Sequence, residues 1–120
     1  MGLTYVTTSV RDLTEKATPF EAQFLVDTGA IDCMVAEDKL RGAGIRIDGT
    51  DSYELADNTL VEYPFGHAWV EFMGMKTVSR VIFGPKDSEP ILGVVALESV
   101  GFGVDPITKT LCKMVAKPLK

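Results

Sequence analysis

The stretch Phe24-Leu25-Val26-Asp27-Thr28-Gly29-Ala30 constrains the fold more than any other part of the chain. An apolar strand runs into an acid, then a small hydroxyl residue, then a glycine that permits a tight turn. A carboxylate is rarely buried without a partner, so the strand must carry Asp27 out of the apolar layer. That places Asp27 at the rim of a barrel or cleft. Thr28 can fix the turn through its hydroxyl, and Gly29 lets another backbone or a ligand approach closely.

The rest of the chain reads as short strands punctuated by turns. Leu3 to Val10 is rich in Thr and Val and predicts a strand; Arg11 to Lys16 is a polar loop ended by Pro19. Phe20 to Val26 is the second strand, and Ile31 to Val35 leaves the turn as another. Ala36 to Arg41 suits one helical turn, stopped by Gly42 or Gly44. Ile45 to Ile47 returns to strand, with Asp48-Gly49 as a turn. Tyr53 to Leu55 and Leu60 to Tyr63 flank Ala56-Asp57-Asn58-Thr59, a hairpin whose Asp and Asn tolerate turn backbone angles. Ala68 to Met73 and Thr77 to Phe83 predict a hairpin about Gly74. A helix follows Gly93 and closes at Gly101. Phe102 to Val104, a turn at Asp105-Pro106, and a strand from Thr110 to Val115 complete the chain. Many short strands with one short helix and no repeat predict an all-β fold, a closed antiparallel barrel. The 120 residues form one domain, 1–120.

The Asp27-Thr28-Gly29-Ala30 motif resembles the signature of aspartic peptidases, specifically the short retroviral-type (retropepsin-like) enzymes that carry a single motif. A second stretch strengthens the resemblance. Pro90-Ile91-Leu92-Gly93, running into Val94-Val95-Ala96-Leu97-Glu98-Ser99-Val100-Gly101, is similar to that family's second signature, two apolar residues and a glycine leading into a short helix. Val70 to Lys76 and Val81 to Pro85 resemble the strands that precede it, so the likeness covers roughly residues 20 to 112.

The resemblance implies a barrel of the acid-protease type and an aspartic endopeptidase that needs no metal or cofactor. Two adjacent carboxylates share one proton, so one serves as general base and the other as general acid; this family is the standard example of the effect. The chain has one such motif, which implies a homodimer with one Asp27 from each subunit. By the same likeness Thr28 braces the two loops across the axis, while Gly29 and Ala30 offer backbone groups to an extended polypeptide substrate. Ala56, Asp57, Asn58 and Thr59 become the tip of a flap that closes over it. Ile91, Leu92 and Gly93 make up the second signature. Two positions depart from the family. Ile31 stands where an acid is usual and Val94 where an arginine is usual, so an ion pair near the interface is replaced by two apolar residues with no charge left unpaired.

The net charge of −5, without a Lys/Arg cluster, argues against a nucleic-acid partner. No apolar run is long enough to span a membrane, no basic leader opens the chain, and two cysteines make no disulfide framework; these point to a cytoplasmic protein. Asp32 reads as a solvated surface acid, with a pocket-lining role as the other reading. His67 is the only histidine and no nucleophile elbow accompanies it. Cys33, Cys112 and His67 lack zinc spacing, and both cysteines read as small packed groups. Gly42-Ala43-Gly44 lacks the third glycine of a dinucleotide loop, and Trp69 reads as a core or barrel-face residue. Besides the peptidase, a catalytically weak or inactive dimeric binding module of the same fold, and a self-processing or assembly-linked peptidase, remain as alternatives.

Overall fold

Alternating Thr and Val side chains set the first strand. In the computed structural model, which describes residues 4–105, 107, 108, 110–114, 116 and 119, β1 spans Tyr5–Arg11 and points Thr8 and Val10 into the core. Position 3 of the predicted first strand lies outside the described residues. Asp12 ends β1 by accepting the N–H groups of Thr14 and Ala17, which turns the chain into β2, Phe20–Val26. The two strands pair antiparallel, Tyr5 opposite Leu25 and Val10 opposite Phe20.

The chain then forms β3 (Cys33–Ala36), α1 (Glu37–Gly42), β4 (Gly49–Glu54), β5 (Leu60–Phe72) and β6 (Met75–Gly84). It ends with β7 (Ile91–Leu92), α2 (Val94–Ser99), β8 (Phe102–Val104) and β9 (Leu111–Lys113). Following the ladders round gives β1, β2, β7, β3, β6, β5 and β1 again, a closed barrel of six strands, with β4 extending from β5 outside the ring. β8 and β9 make a separate antiparallel pair.

The barrel departs from the all-antiparallel expectation. β7 lies parallel to β2, and β3 lies parallel to β6. The cause is topological: β7 inserts between β2 and β3, which are consecutive in sequence but not neighbours in space. A ring closed that way requires two parallel pairs, which no local pattern reveals.

Other boundaries also moved. Residues 31 and 32 are bends, and β3 begins only at Cys33. Ile45 to Ile47 is not a strand; the Ile45 N–H bonds the Leu40 carbonyl, finishing α1 and burying Ile45. Gly49 opens β4 instead of completing a turn. The two strands predicted on either side of Pro64 are one, β5. Proline is tolerated there because Pro64 faces β4 on one side, while the β6 ladder starts only at Phe65. The helix after Gly93 is α2, and α1 makes a second. The predicted turn at Asp105-Pro106 and the end of the last strand at Val115 fall partly outside the described residues.

The core gathers Phe24, Leu40, Val70, Phe72, Leu92 and Leu97, all essentially inaccessible, and the Phe72 and Phe102 rings meet 5.9 Å apart. Full burial of a side chain of this size contributes about 1.5–3 kcal/mol. Trp69 stands on the outer face, half-buried, with the Lys76 ammonium 4.5 Å from its ring centre. Cys33 is buried and its thiol is pushed up to about 11, chiefly by burial. Cys112 is exposed, contrary to expectation, because β8 and β9 sit outside the barrel.

Candidate functional site

β2 delivers Asp27 at its end, where the strand leaves the core. The Asp27 N–H bonds the Leu92 carbonyl at 3.1 Å, so the acid begins where β2 and β7 part. Its Oδ1 accepts the Gly29 N–H at 2.9 Å, and the Asp27 carbonyl accepts the Ala30 N–H at 3.1 Å, which closes the turn. The other carboxylate oxygen meets no hydrogen-bond donor among the described residues. Asp27 is half-buried, and Thr28 and Gly29 are exposed beside it.

The second stretch meets this loop directly. Carbonyls of Ala30 and Ile31 accept the N–H groups of Val94 and Val95 at 2.8 and 3.1 Å, satisfying donors in the first turn of α2. Gly93 lies so close that a Cβ there would stand 2.5 Å from the backbone of Asp32. Only glycine admits that approach. Leu92 and Gly93 are buried support, whereas Ile91 faces a cleft.

That cleft encloses about 1040 Å³ between the Asp27 loop and the β4–β5 hairpin. Its floor is a row across three strands: Ile91 of β7 pairs with Met34 of β3, which pairs with Ile82 of β6. Alternation along β3 turns Cys33 and Val35 into the core and Met34 outward. Asp32 lines the same cleft and accepts the Tyr53 hydroxyl proton at 3.1 Å, so it is more than a surface acid. Tyr53 is the one residue from 51 to 60 that is not exposed. Burial holds its phenol above the ordinary value, with the Asp32 charge adding and the Arg80 guanidinium opposing. Arg80, one position before Val81 on β6, donates to Asp51 at 2.9 Å and lies 3.6 Å over the Phe65 ring. The backbone N–H of Ser52 and then Arg80 hold the Asp51 carboxyl below its usual range.

Of the predicted hairpin tip, Ala56 and Asn58 border the cleft. Asp57 accepts the Thr59 N–H at 3.0 Å and serves the turn, in which Asn58 takes a left-handed φ of 67°. Asp32, Tyr53 and Arg80 were not picked out from sequence as a group. The signal was the spacing of Asp32 two residues before Met34, which shares its face only once β3 is known.

A second hollow, about 620 Å³, lies against Asp12, Arg46, Asp48 and His67. There the His67 ring nitrogen meets Asp48 at 2.8 Å, and Arg46 lies 3.6 Å from its other oxygen. Among the described residues no three His, Cys, Asp or Glu side chains converge as a metal site, and no helix is long and apolar enough to cross a membrane. Comparison with protein-family models and with curated proteins finds no match for this chain.

Proposed function

We propose that the chain is a homodimeric aspartic endopeptidase of the retropepsin-like kind. The observation that carries this reading is the Asp27 carboxylate on the cleft wall: one oxygen is fixed by the Gly29 N–H, and the other meets no donor among the described residues. A second carboxyl at that oxygen would share a proton with it. The ionised Asp27 then takes a proton from water as the water oxygen attacks the peptide carbonyl. The Asp27 of a second copy gives its proton to the carbonyl oxygen. Collapse of the tetrahedral species with proton transfer to nitrogen releases the amine.

Supporting the dimer, Ile31 is 66% exposed and Val95 45% exposed, and their backbones are bonded to each other at the edge of the Asp27 loop. Two apolar residues stand there beside exposed Thr28, a face suited to a second copy related by a twofold axis. The β4–β5 hairpin spans the cleft from the other side, where it would cover an extended peptide.

The test is subunit mixing. Asp27→Asn keeps shape and removes acid–base function, lowering cleavage of a peptide library by at least about a hundredfold. Excess mutant, given time to exchange, suppresses wild-type cleavage, since a mixed dimer holds one carboxylate and one amide. Full activity after exchange confirmed by mass spectrometry would overturn the shared pair.

A further inference from the structure

The cleft floor is apolar and its end is charged, and the two features lie on one face. Ile91, Met34 and Ile82 form a continuous row across β7, β3 and β6. Asp32 precedes Met34 by two residues, and its carboxylate borders the same space. The charges beside the row are not equivalent. Arg80 has a carboxylate partner, Asp51 at 2.9 Å, and a ring beneath it, Phe65. Asp32 accepts the Tyr53 hydroxyl and feels the Arg80 charge at longer range, but forms no ion pair among the described residues. Other acids of the lining are Asp27 and Glu54, and among the described residues Arg80 is the only Lys or Arg on it, so this lining carries net negative charge.

We infer that this cleft selects polypeptides bearing a lysine or arginine, its aliphatic stem lying on Met34, Ile82 and Ile91 and its cationic head meeting Asp32. The inference rests on the peptidase reading for the consequence that such peptides are cut, though not for their binding. A long basic side chain suits the site on both counts, since its methylenes cover apolar surface while its head keeps a charged partner. A norleucine would fill the row but bring no cation to Asp32. A glutamate would bring a second carboxylate against Asp32. The Tyr53 hydroxyl donates to Asp32 at 3.1 Å and borders the same cleft.

The experiment is a peptide set in one fixed frame, each position in turn carrying lysine, arginine, norleucine or glutamate. Cleavage is followed with wild type, Asp32→Asn and Asp32→Glu. Binding of the same peptides, fluorescein-labelled, is followed by anisotropy with Asp27→Asn protein, with and without Asp32→Asn. At one position lysine and arginine should exceed norleucine by about tenfold in kcat/KM, the scale of one hydrogen bond to a charged group. That ratio should fall towards one in Asp32→Asn and return in part in Asp32→Glu. Equal treatment of lysine and norleucine, a preference for glutamate, or a basic preference surviving Asp32→Asn would overturn the inference while cleavage upholds the peptidase reading. Absence of cleavage with Asp32-dependent binding of basic peptides would overturn the peptidase and keep the selectivity. Neither cleavage nor binding would overturn both.

Discussion

Gly93 and Asp48 show how single residues hold the site. At Gly93 the obstacle is backbone: an added methyl would lie 2.5 Å from the Asp32 carbonyl group and 2.8 Å from the Ile31 oxygen. Backbone yields less readily than a flexible side chain, so Gly93→Ala should cost about 1–3 kcal/mol, as overpacking does. Urea unfolding measures the loss; an unchanged midpoint would show that the loop moves freely. At Asp48 the hydrogen bond from His67, opposed by some desolvation and helped by Arg46, holds the carboxyl below its usual range. A depressed carboxyl contributes stability above its unfolded value, near about 3.9, and loses it as pH falls through the lower folded value. His67→Ala should therefore raise the Asp48 titration towards an ordinary carboxyl, so that the share of the acid-induced loss of stability that Asp48 contributes shrinks. Carboxyl carbon NMR across an acid titration reads this directly. The lone histidine, whose sequence reading is structural or surface, thus clamps the start of β4, because His67 and Asp48 are brought together only by the β4–β5 ladder.

The hairpins illustrate what an element adds to its residues. Met73 and Gly74 both take left-handed φ angles, 54° and 75°, at the tip joining β5 and β6. That pattern at both central positions belongs to the two-residue turn whose twist suits paired strands, and it favours Asn-Gly. Met73 is more than half exposed, so its side chain contributes little to the core. Met73→Asn should stabilise the protein by about 1 kcal/mol, the scale of the left-handed penalty relieved; a lower melting temperature would show that Met73 packs on something that matters. The β4–β5 hairpin has a different tip. Asn58 donates to the Leu55 carbonyl and Leu55 to the Thr59 carbonyl, with Asn58 left-handed, giving a three-residue loop. Asp and Asn at this tip were legible as turn formers. Tyr53, the half-buried anchor of the arm, was not, since a tyrosine in an alternating strand does not announce its partner.

Ile31 and Val95 form an exposed apolar pair beside the candidate site. If a second copy covers them, a charge there should separate the subunits. Ile31→Lys and Val95→Glu should each shift the sedimentation equilibrium of a dimer towards monomer and lower peptide cleavage in parallel, with the variants still folded by circular dichroism. A wild type that sediments as a monomer at all concentrations, or variants that remain dimeric and active, would place the interface elsewhere.

The amino-acid sequence by itself determined the strand-rich character, the hairpins, the helix after Gly93 and the emergence of Asp27 at the end of an apolar strand. Each follows from neighbours within a few residues: alternation, turn chemistry and the cost of burying a charge. A closed barrel was also legible; tertiary structure alone decided the order of strands in it. Insertion of β7 between β2 and β3 makes two pairs parallel, brings Gly93 against Asp32, and lines Ile91, Met34 and Ile82 into one floor. It also joined β5 across Pro64, left Cys112 outside the barrel and set Tyr53 on Asp32. These are contacts between residues far apart in the chain, and pairing between distant strands is set by closure of the whole barrel, which no local pattern encodes.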